Sequence, residues 1–372
     1  MTVPTELLSI DDESLLGALA KVDATTLETS AGARRVVFSE LIERAFARVA
    51  DYQRGMKLLR VCYSVKTNPS RSILSCANRH GLFAEVISPA ELDEAIACGF
   101  QPSDVVYNGP YPAERCRVGP GFIFADSVEA YTSATRRFPM SCVGARVRPP
   151  GIMSRFGTLP EELGELAKAI EQSGRPATAI SFHVRPGDYG LYTLRTIASA
   201  VIDYAQELER RCSVPVTIFD IGGGKRPLEF DAAVGSGDFE WIERRVRERL
   251  PHVQAVFVEL GQALVTSGEG VIGSILEVRR RGNITEAVID AGYPEVPQVH
   301  SFEHRLFHLR AGNVRRLIHG TDRLLGRTCL EYDVISSSSS LSGCRAGDAI
   351  AIADAGAYDA SMSFGFAQGE RR

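Results

Sequence analysis

The sequence predicts an α/β protein: a (β/α)8 barrel followed by a second, mainly β domain. Three observations carry this. Short apolar runs alternate with amphipathic stretches from about Val36 to about Gly268. Such alternation calls for a parallel sheet, because parallel strands are joined only by long crossovers, usually helical. Beyond Gly268 the apolar runs continue without long helical stretches between them. About eight β-then-α units over roughly 230 residues match a closed barrel. An open doubly wound sheet is the alternative that the same pattern permits.

The elements follow in order. Residues 1–34 read as irregular and polar, with a Thr/Ser/Ala/Gly stretch over 24–33. The apolar run 58–63 (LLRVCY) reads as a buried strand, and further strands are expected at 84–87, 105–107, 122–125, 142–147, 180–183, 217–221 and 255–259. Helices are expected at 70–79 and 90–98, ended by Gly81 and Gly99, and at 159–172 and 194–211. The second domain opens with strands at 271–279 and 284–289, and 349–353 is another. The five-serine run 336–340 reads as a solvated loop. The expected division is a barrel over 35–268 and a β-rich domain over 269–372 that takes in part of 1–34.

Composition narrows the function classes. The chain has 372 residues, 44% of them hydrophobic, which suffices for a large core. A formal net charge of -4 gives no basic excess for nucleic acid or an anionic membrane, and suits a small polar substrate. No run of 18 apolar residues predicts a membrane span. The early acids Glu6, Asp11, Asp12 and Glu13 are unlike a secretory signal. Eight scattered cysteines without a C-x-x-C pair argue against a zinc site or a disulfide framework, so no metal and a reducing cytoplasm are expected.

Several segments carry chemistry. In Tyr63-Ser64-Val65-Lys66-Thr67-Asn68-Pro69 a lysine follows a buried strand. It is either a surface lysine at a strand–helix junction or an amine at the C-terminal mouth of a barrel, where desolvation makes it nucleophilic. Asp220-Ile221-Gly222-Gly223-Gly224-Lys225 also follows a strand. Three glycines make either a flexible turn or a backbone cradle for an anion, and the spacing is not that of a dinucleotide-binding turn. Glu259 ends a strand and is either half of a structural salt bridge or a partner for a pyridinium N–H. His183 ends another, as a core histidine or one stacked on a flat ring. Cys329, in Gly326-Arg327-Thr328-Cys329, is a packing residue or a proton donor. In Asp354-Ala355-Gly356-Ala357-Tyr358 a turn of small residues delivers a tyrosine hydroxyl.

Taken in order, YSVKTNP, AEVISPAEL, SFHV, DIGGG, VELG, GRTC and DAGAY resemble the ornithine/diaminopimelate decarboxylase family, from about residue 35 to the C-terminus. These are fold-type III enzymes that use pyridoxal 5'-phosphate (PLP) and have an alanine-racemase-like barrel. The resemblance implies a role for each matching position. Lys66 matches the lysine that holds the cofactor covalently, and Glu85 an acid close to it. Arg146, in GARVRP, is similar to the arginine near the ring oxygen. His183 matches the histidine that stacks on the ring, and Glu259 the acid on the ring nitrogen. Gly222, Gly223 and Gly224 match the loop that holds the phosphate, and Tyr358 a tyrosine that reaches it. Cys329 matches the cysteine that returns a proton to the substrate carbon. In the family that cysteine comes from the second subunit, so a homodimer with shared active sites is implied. The activity implied is decarboxylation of an amino acid or an amino-acid-containing conjugate. A racemase or epimerase on the same scaffold and a PLP-free regulatory homologue are the alternatives.

Four departures from the family pattern stand out. Glu259-Leu260-Gly261-Gln262 replaces Glu-Pro-Gly-Arg and removes a phosphate arginine, for which Lys225 or Arg226 is a candidate replacement. His183-Val184-Arg185-Pro186 lacks the family's phosphate serine, with Arg185 as a candidate source of charge. Leu330 follows Cys329 where the family has a carboxylate for the substrate's distal ammonium, so plain ornithine, lysine or arginine is not expected; Glu331 and Asp333 are the candidates to restore that recognition. The stretch 294–300 after Asp290-Ala291-Gly292-Tyr293 also differs. These departures resemble relatives in siderophore and other natural-product pathways.

Overall fold

The computed structural model describes residues 7–22, 32–184 and 193–366. The chain divides into two compact units, one of residues 1–8 and 45–263, the other of 9–44 and 264–372. Strand β1 (Arg34–Val37) belongs to the second unit.

The first unit is a closed barrel of eight parallel strands: β2 (Leu59–Ser64), β3 (Phe83–Val86), β4 (Val105–Asn108), β5 (Phe122–Ala125), β6 (Cys142–Arg146), β7 (Thr178–Ser181), β8 (Val216–Asp220) and β9 (Ala255–Leu260). The last strand pairs in parallel with the first, Leu59 to Val256 through Tyr63 to Leu260, which closes the sheet and excludes the open alternative. Helices Arg71–Arg79, Pro89–Ala97, Val128–Arg137, Leu163–Gln172 and Leu194–Cys212 occupy crossovers, and Pro227–Gly235 with Asp238–Arg249 lead into β9. Between β4 and β5 the described chain makes only a short 3-10 turn, Ala113–Arg115.

Local chemistry starts these helices where they start. Ser88 caps Pro89–Ala97 by accepting from Glu91 N at 3.2 Å, while the Glu91 carboxylate accepts from Ile87 N at 2.8 Å. Ser127 caps Val128–Arg137 in the same way. Each cap satisfies backbone donors that a helix leaves unpaired. Proline at the first position of Pro89–Ala97 removes one such donor altogether.

The barrel interior is stratified. Cys62, Val106, Phe124, Ala179, Ile218 and Phe257 form one buried apolar cluster, with Phe83 and Phe122 against it. Phe122 and Phe257 meet edge to face at 4.9 Å. Gly144 lets β6 lie close against Ala179 of β7, since a Cβ there would come within 2.3 Å of the Ala179 carbonyl oxygen. Side chains alternate in and out along a strand. The next inward positions toward the strand C-termini are therefore Ser64, Glu85, Asn108, Arg146, Ser181, Asp220 and Glu259. All are polar, so a polar layer crowns an apolar one at the end where barrel active sites form.

The second unit is a sheet ordered β13-β12-β16-β10-β11-β14-β15, with β1 paired to β10. Its strands are β10 (Glu269–Arg281), β11 (Ile284–Ile289), β12 (Leu306–Arg310), β13 (Asn313–Arg316), β14 (His319–Leu325), β15 (Val334–Ser339) and β16 (Ala349–Ile352). Its first half paired to β1 and β16 and its second to β11, β10 turns through a register shift between Ile275 and Glu277. Two apolar clusters fill this unit, one around Ile289, Leu324 and Ile350, the other around Phe307 and Ala351.

Two expectations are corrected. Within residues 1–34, Asp12–Ala20 is a helix: Asp11 caps it by accepting from Ser14 N at 2.7 Å, and Leu15 and Leu19 join the Phe307 cluster. Most of the serine run is strand β15, not loop, because it pairs antiparallel with β14, Leu324 opposite Ser336. Cross-strand pairing there overrides the turn preference of serine. Among the described residues no helix is long and apolar enough to cross a membrane.

Candidate active site

The polar layer at the C-terminal end of the barrel gathers most of the residues singled out from the sequence. Lys66 lies just past β2, in a 3-10 turn, Val65–Thr67. Its Nζ contacts both oxygens of Glu85, at 2.8 and 2.5 Å. The Glu85 side chain has no exposed surface, and Lys66 is 26% exposed. Burial pushes the Glu85 carboxyl up against the pull of the lysine, and the nearby Glu259 charge pushes the same way. The lysine is thus held by a buried acid while remaining part-exposed itself.

Glu259 ends β9 and is buried. Asn108 Nδ2 donates to its Oε1 at 2.6 Å, and His183 Nδ1 lies 3.2 Å from its Oε2. Burial raises this carboxyl, but the His183 hydrogen bond, the Lys66 charge and the Asn108 amide outweigh it, and the group is held below the ordinary carboxylate range. Glu259 is therefore an anion inside the barrel. Burial keeps His183 below the usual histidine range, hence neutral. Its Nδ1 also lies 3.2 Å from Gly223 N, which donates to it. One nitrogen cannot give a proton to Glu259 and accept one from Gly223 at once, so the ring chooses between two tautomers.

The glycine turn follows β8. Gly222 has φ +65°, a conformation that favours glycine, and a Cβ there would lie 2.4 Å from the Phe182 carbonyl oxygen. A Cβ at Gly223 would lie 2.2 Å from the Glu259 carbonyl oxygen. Asp220 Oδ1 accepts from Gly222 N at 2.8 Å, and Glu259 N donates to Gly222 O at 2.9 Å. Turn and carboxylate are thereby packed backbone to backbone. Gly261 is equally constrained, since a Cβ would meet Thr67 Oγ1 at 2.0 Å.

Arg146 ends β6, with its guanidinium 4.8 Å from the centre of the Phe156 ring. Of the candidate phosphate cations, Lys225 is buried, whereas Arg226 is exposed and pairs with Glu229 at 2.7 Å. Gln262 begins the short helix Gln262–Val265. Arg185 and Pro186 lie outside the described residues.

Cys329 and Tyr358 belong to the second unit. Cys329 is exposed, and its loop is built around Asp333. The Asp333 carboxylate accepts from Tyr293 N at 2.7 Å, Thr328 N at 2.9 Å and Thr328 Oγ1 at 2.6 Å. Asp333 is thus committed to Thr328 and Tyr293, while Glu331 is exposed and Leu330 half-buried. Arg327, beside the cysteine, pairs with Glu295 at 2.7 Å, tying this loop to the 294–300 stretch. Tyr358 has φ +66°, unusual for a side-chain-bearing residue, and starts the turn of helix Asp359–Met362.

Sequence reasoning overlooked Asn108, Ser64, Ser181 and Asp220. The signal was present: each is the last inward residue of its strand, found by counting back in steps of two from the apolar cluster below.

These residues fit PLP. A part-buried lysine, a buried carboxylate anion and a turn in which Gly222 and Gly223 leave no room for a Cβ converge at one barrel mouth.

Comparisons with known proteins agree. Residues 41–116 match the family described as pyridoxal-dependent decarboxylase, pyridoxal binding domain. The chain is 23% identical to the chloroplastic ornithine decarboxylase of Nicotiana glauca over 258 residues, 65% of this chain but only 58% of that enzyme. It is 23% identical to the diaminopimelate decarboxylase of Zymomonas mobilis over 353 residues, 87% of this chain and 82% of the other. In structure it is similar to the Paramecium bursaria Chlorella virus arginine decarboxylase bound to agmatine, with a TM-score of 0.76, 18% identity, and coverage of 94% and 97%.

Proposed function

We propose that this chain, which belongs to the ornithine/diaminopimelate decarboxylase family of PLP enzymes, removes the α-carboxylate of an amino acid or of a conjugate that contains one. The observation that carries this reading is the meeting of Lys66, Glu259 and the Gly222–Gly224 turn at the C-terminal end of a closed barrel. When bound, PLP supplies an electron sink for the bond to the departing carboxylate.

The chain's own residues set the conditions for that chemistry. Lys66 would hold the cofactor covalently, with Glu85 keeping its amine in place and within reach of a proton acceptor. Glu259, already an anion, would hold a proton on the ring nitrogen, and Asn108 would fix the orientation of its carboxylate. His183 would stack on the ring, its tautomer set by whether Nδ1 serves Glu259 or Gly223. The glycine turn would hold the phosphate. Lys225, which is buried beside the turn, and Arg226, which pairs with Glu229, are the candidates to replace the missing arginine. Cys329, from a second copy of the chain, would return a proton to the substrate carbon, and Tyr358 would reach the phosphate.

The Leu330 position bears on substrate. Burying an ammonium against leucine without a counter-charge costs several kcal/mol, on the order of the penalty for a broken buried ion pair. Asp333 does not replace the missing carboxylate, since Tyr293 N and two donors of Thr328 already occupy it. The reading therefore favours a substrate whose distal end is not a bare ammonium. A screen of carbon dioxide release with added PLP, over free diamino acids, their D forms and their acylated conjugates, tests this. Release from a conjugate but not from ornithine, lysine or arginine is expected. Loss of optical rotation without carbon dioxide, or no turnover of any amino acid, would overturn it.

A further inference from the structure

We propose that Asp220 carries a proton in the folded protein and, as a neutral acid, is the positioning residue for the Glu259 carboxylate and the glycine turn. The argument starts from a count of charges. The polar layer holds three carboxyl side chains with at most 1% exposure: Glu85, Asp220 and Glu259. Two cations meet this layer: Lys66, whose amine contacts both Glu85 oxygens, and Arg146, whose guanidinium lies over the Phe156 ring. Cys62, in the apolar layer below, faces all three acids, and burial with these neighbours pushes its thiol well up.

Solvation then decides which acid stays neutral. Glu259 has side-chain partners on both oxygens, Asn108 and His183. Gly222 N donates to Asp220 Oδ1, and the Asp220 Oδ2 is buried with no hydrogen-bond partner. A buried carboxylate with a bare oxygen is far costlier than a buried acid, and neighbouring buried carboxyls do not both ionise. Groups facing Asp220 reinforce the outcome. On β7 its register partner is Ser181, whose Oγ is also buried and unpartnered. On β9 it is registered with Phe257, one inward position below Glu259. Burial first, then the Glu259 charge, push the Asp220 carboxyl well above its ordinary range, with Glu85 adding to the effect.

The consequence is a division of labour. The neutral acid leaves the negative charge on Glu259, where a ring N–H needs it, while the Asp220 carbonyl oxygen Oδ1 pins Gly222 in its φ +65° conformation. Gly222 O in turn accepts from Glu259 N, so Asp220 orients the carboxylate through the backbone. This positioning role rests on Glu259 facing the cofactor as proposed above; the protonation does not.

Infrared spectroscopy of the full-length chain, with and without added PLP, tests it. Between pH 6 and 8 a carboxylic-acid carbonyl band should be present, shift on 13C-aspartate labelling, and vanish in Asp220→Asn. Absence of an acid band that responds to aspartate labelling would overturn the proposal whether or not the chain decarboxylates anything, and whether or not a variant folds. For the positioning role, Asp220→Ala should weaken PLP binding by about tenfold or more, the scale of one lost buried hydrogen bond. Asp220→Asn, neutral and of the same shape, should restore most of that affinity. Equal binding by wild type and Asp220→Ala would refute the role.

Discussion

Gly223→Ala is the smallest change that should separate the glycine turn from Glu259. The added methyl would lie 2.2 Å from the Glu259 carbonyl oxygen and 3.3 Å from its Cβ. Since van der Waals contact lies at about 3.5 Å, the backbones must part by roughly 1 Å. The neighbour that must give is strand backbone, not a flexible side-chain tip, and overpacking of this kind costs about 1–3 kcal/mol. The same shift stretches the 2.6 Å Asn108 and 3.2 Å His183 contacts of Glu259. Hydrogen bonds to a charged group contribute about 1.5–3 kcal/mol each, so PLP affinity should fall about tenfold or more. Urea unfolding reads the first effect, and titration with PLP followed by absorbance reads the second. Gly235→Ala is the control: nothing lies within 4 Å of its added methyl, at the end of helix Pro227–Gly235, so stability should hold or rise slightly. A Gly223→Ala chain with wild-type urea midpoint and wild-type PLP affinity would refute the packing argument.

Three more outcomes are expected. Asp333→Ala strands the donors of Tyr293, Thr328 N and Thr328 Oγ1, and should lower the urea-unfolding free energy by about 2–4 kcal/mol, with Asp333→Asn intermediate. Arg305 grips Asp354 through Nε at 2.7 Å and Nη2 at 2.8 Å; burial raises that carboxyl, but the arginine outweighs burial and holds it below the ordinary range. The pair's stabilisation is therefore present above the unfolded aspartate value and lost as pH falls through the lower folded one. Arg305→Met should cost about 3–5 kcal/mol near neutrality, and urea unfolding as a function of pH should show the deficit shrinking below about pH 4 as Asp354 is protonated. Cys329 is the exposed member of the eight cysteines, so a thiol reagent should label it first, and labelling should slow as protein concentration rises if a second copy covers it.

The barrel was legible because its strands are buried on both sides and read as apolar runs; the expected strand 122–125 coincides with β5. Polar endings were harder to read. The strand expected at 105–107 stops one residue short of Asn108, because a terminal asparagine reads as a turn, and with it went the Glu259 partner. Asp220 reads in the sequence as the lead-in to three glycines, yet its burial comes from the register of β7, β8 and β9, which no local pattern encodes. The helix Asp12–Ala20 hid in a polar segment because its two buried leucines find their cluster on strands some 290 residues later. Serines 336–339 became strand for the same reason: the partner that pairs them lies elsewhere in the chain.

The central claim is that the Lys66 amine holds the cofactor. Incubating the full chain with PLP, reducing it with borohydride and mapping the peptides by mass spectrometry tests that claim most directly. The expected result is one pyridoxyl adduct on Lys66, lost in Lys66→Ala. An unmodified Lys66, or an adduct that forms equally on surface lysines, would contradict the account.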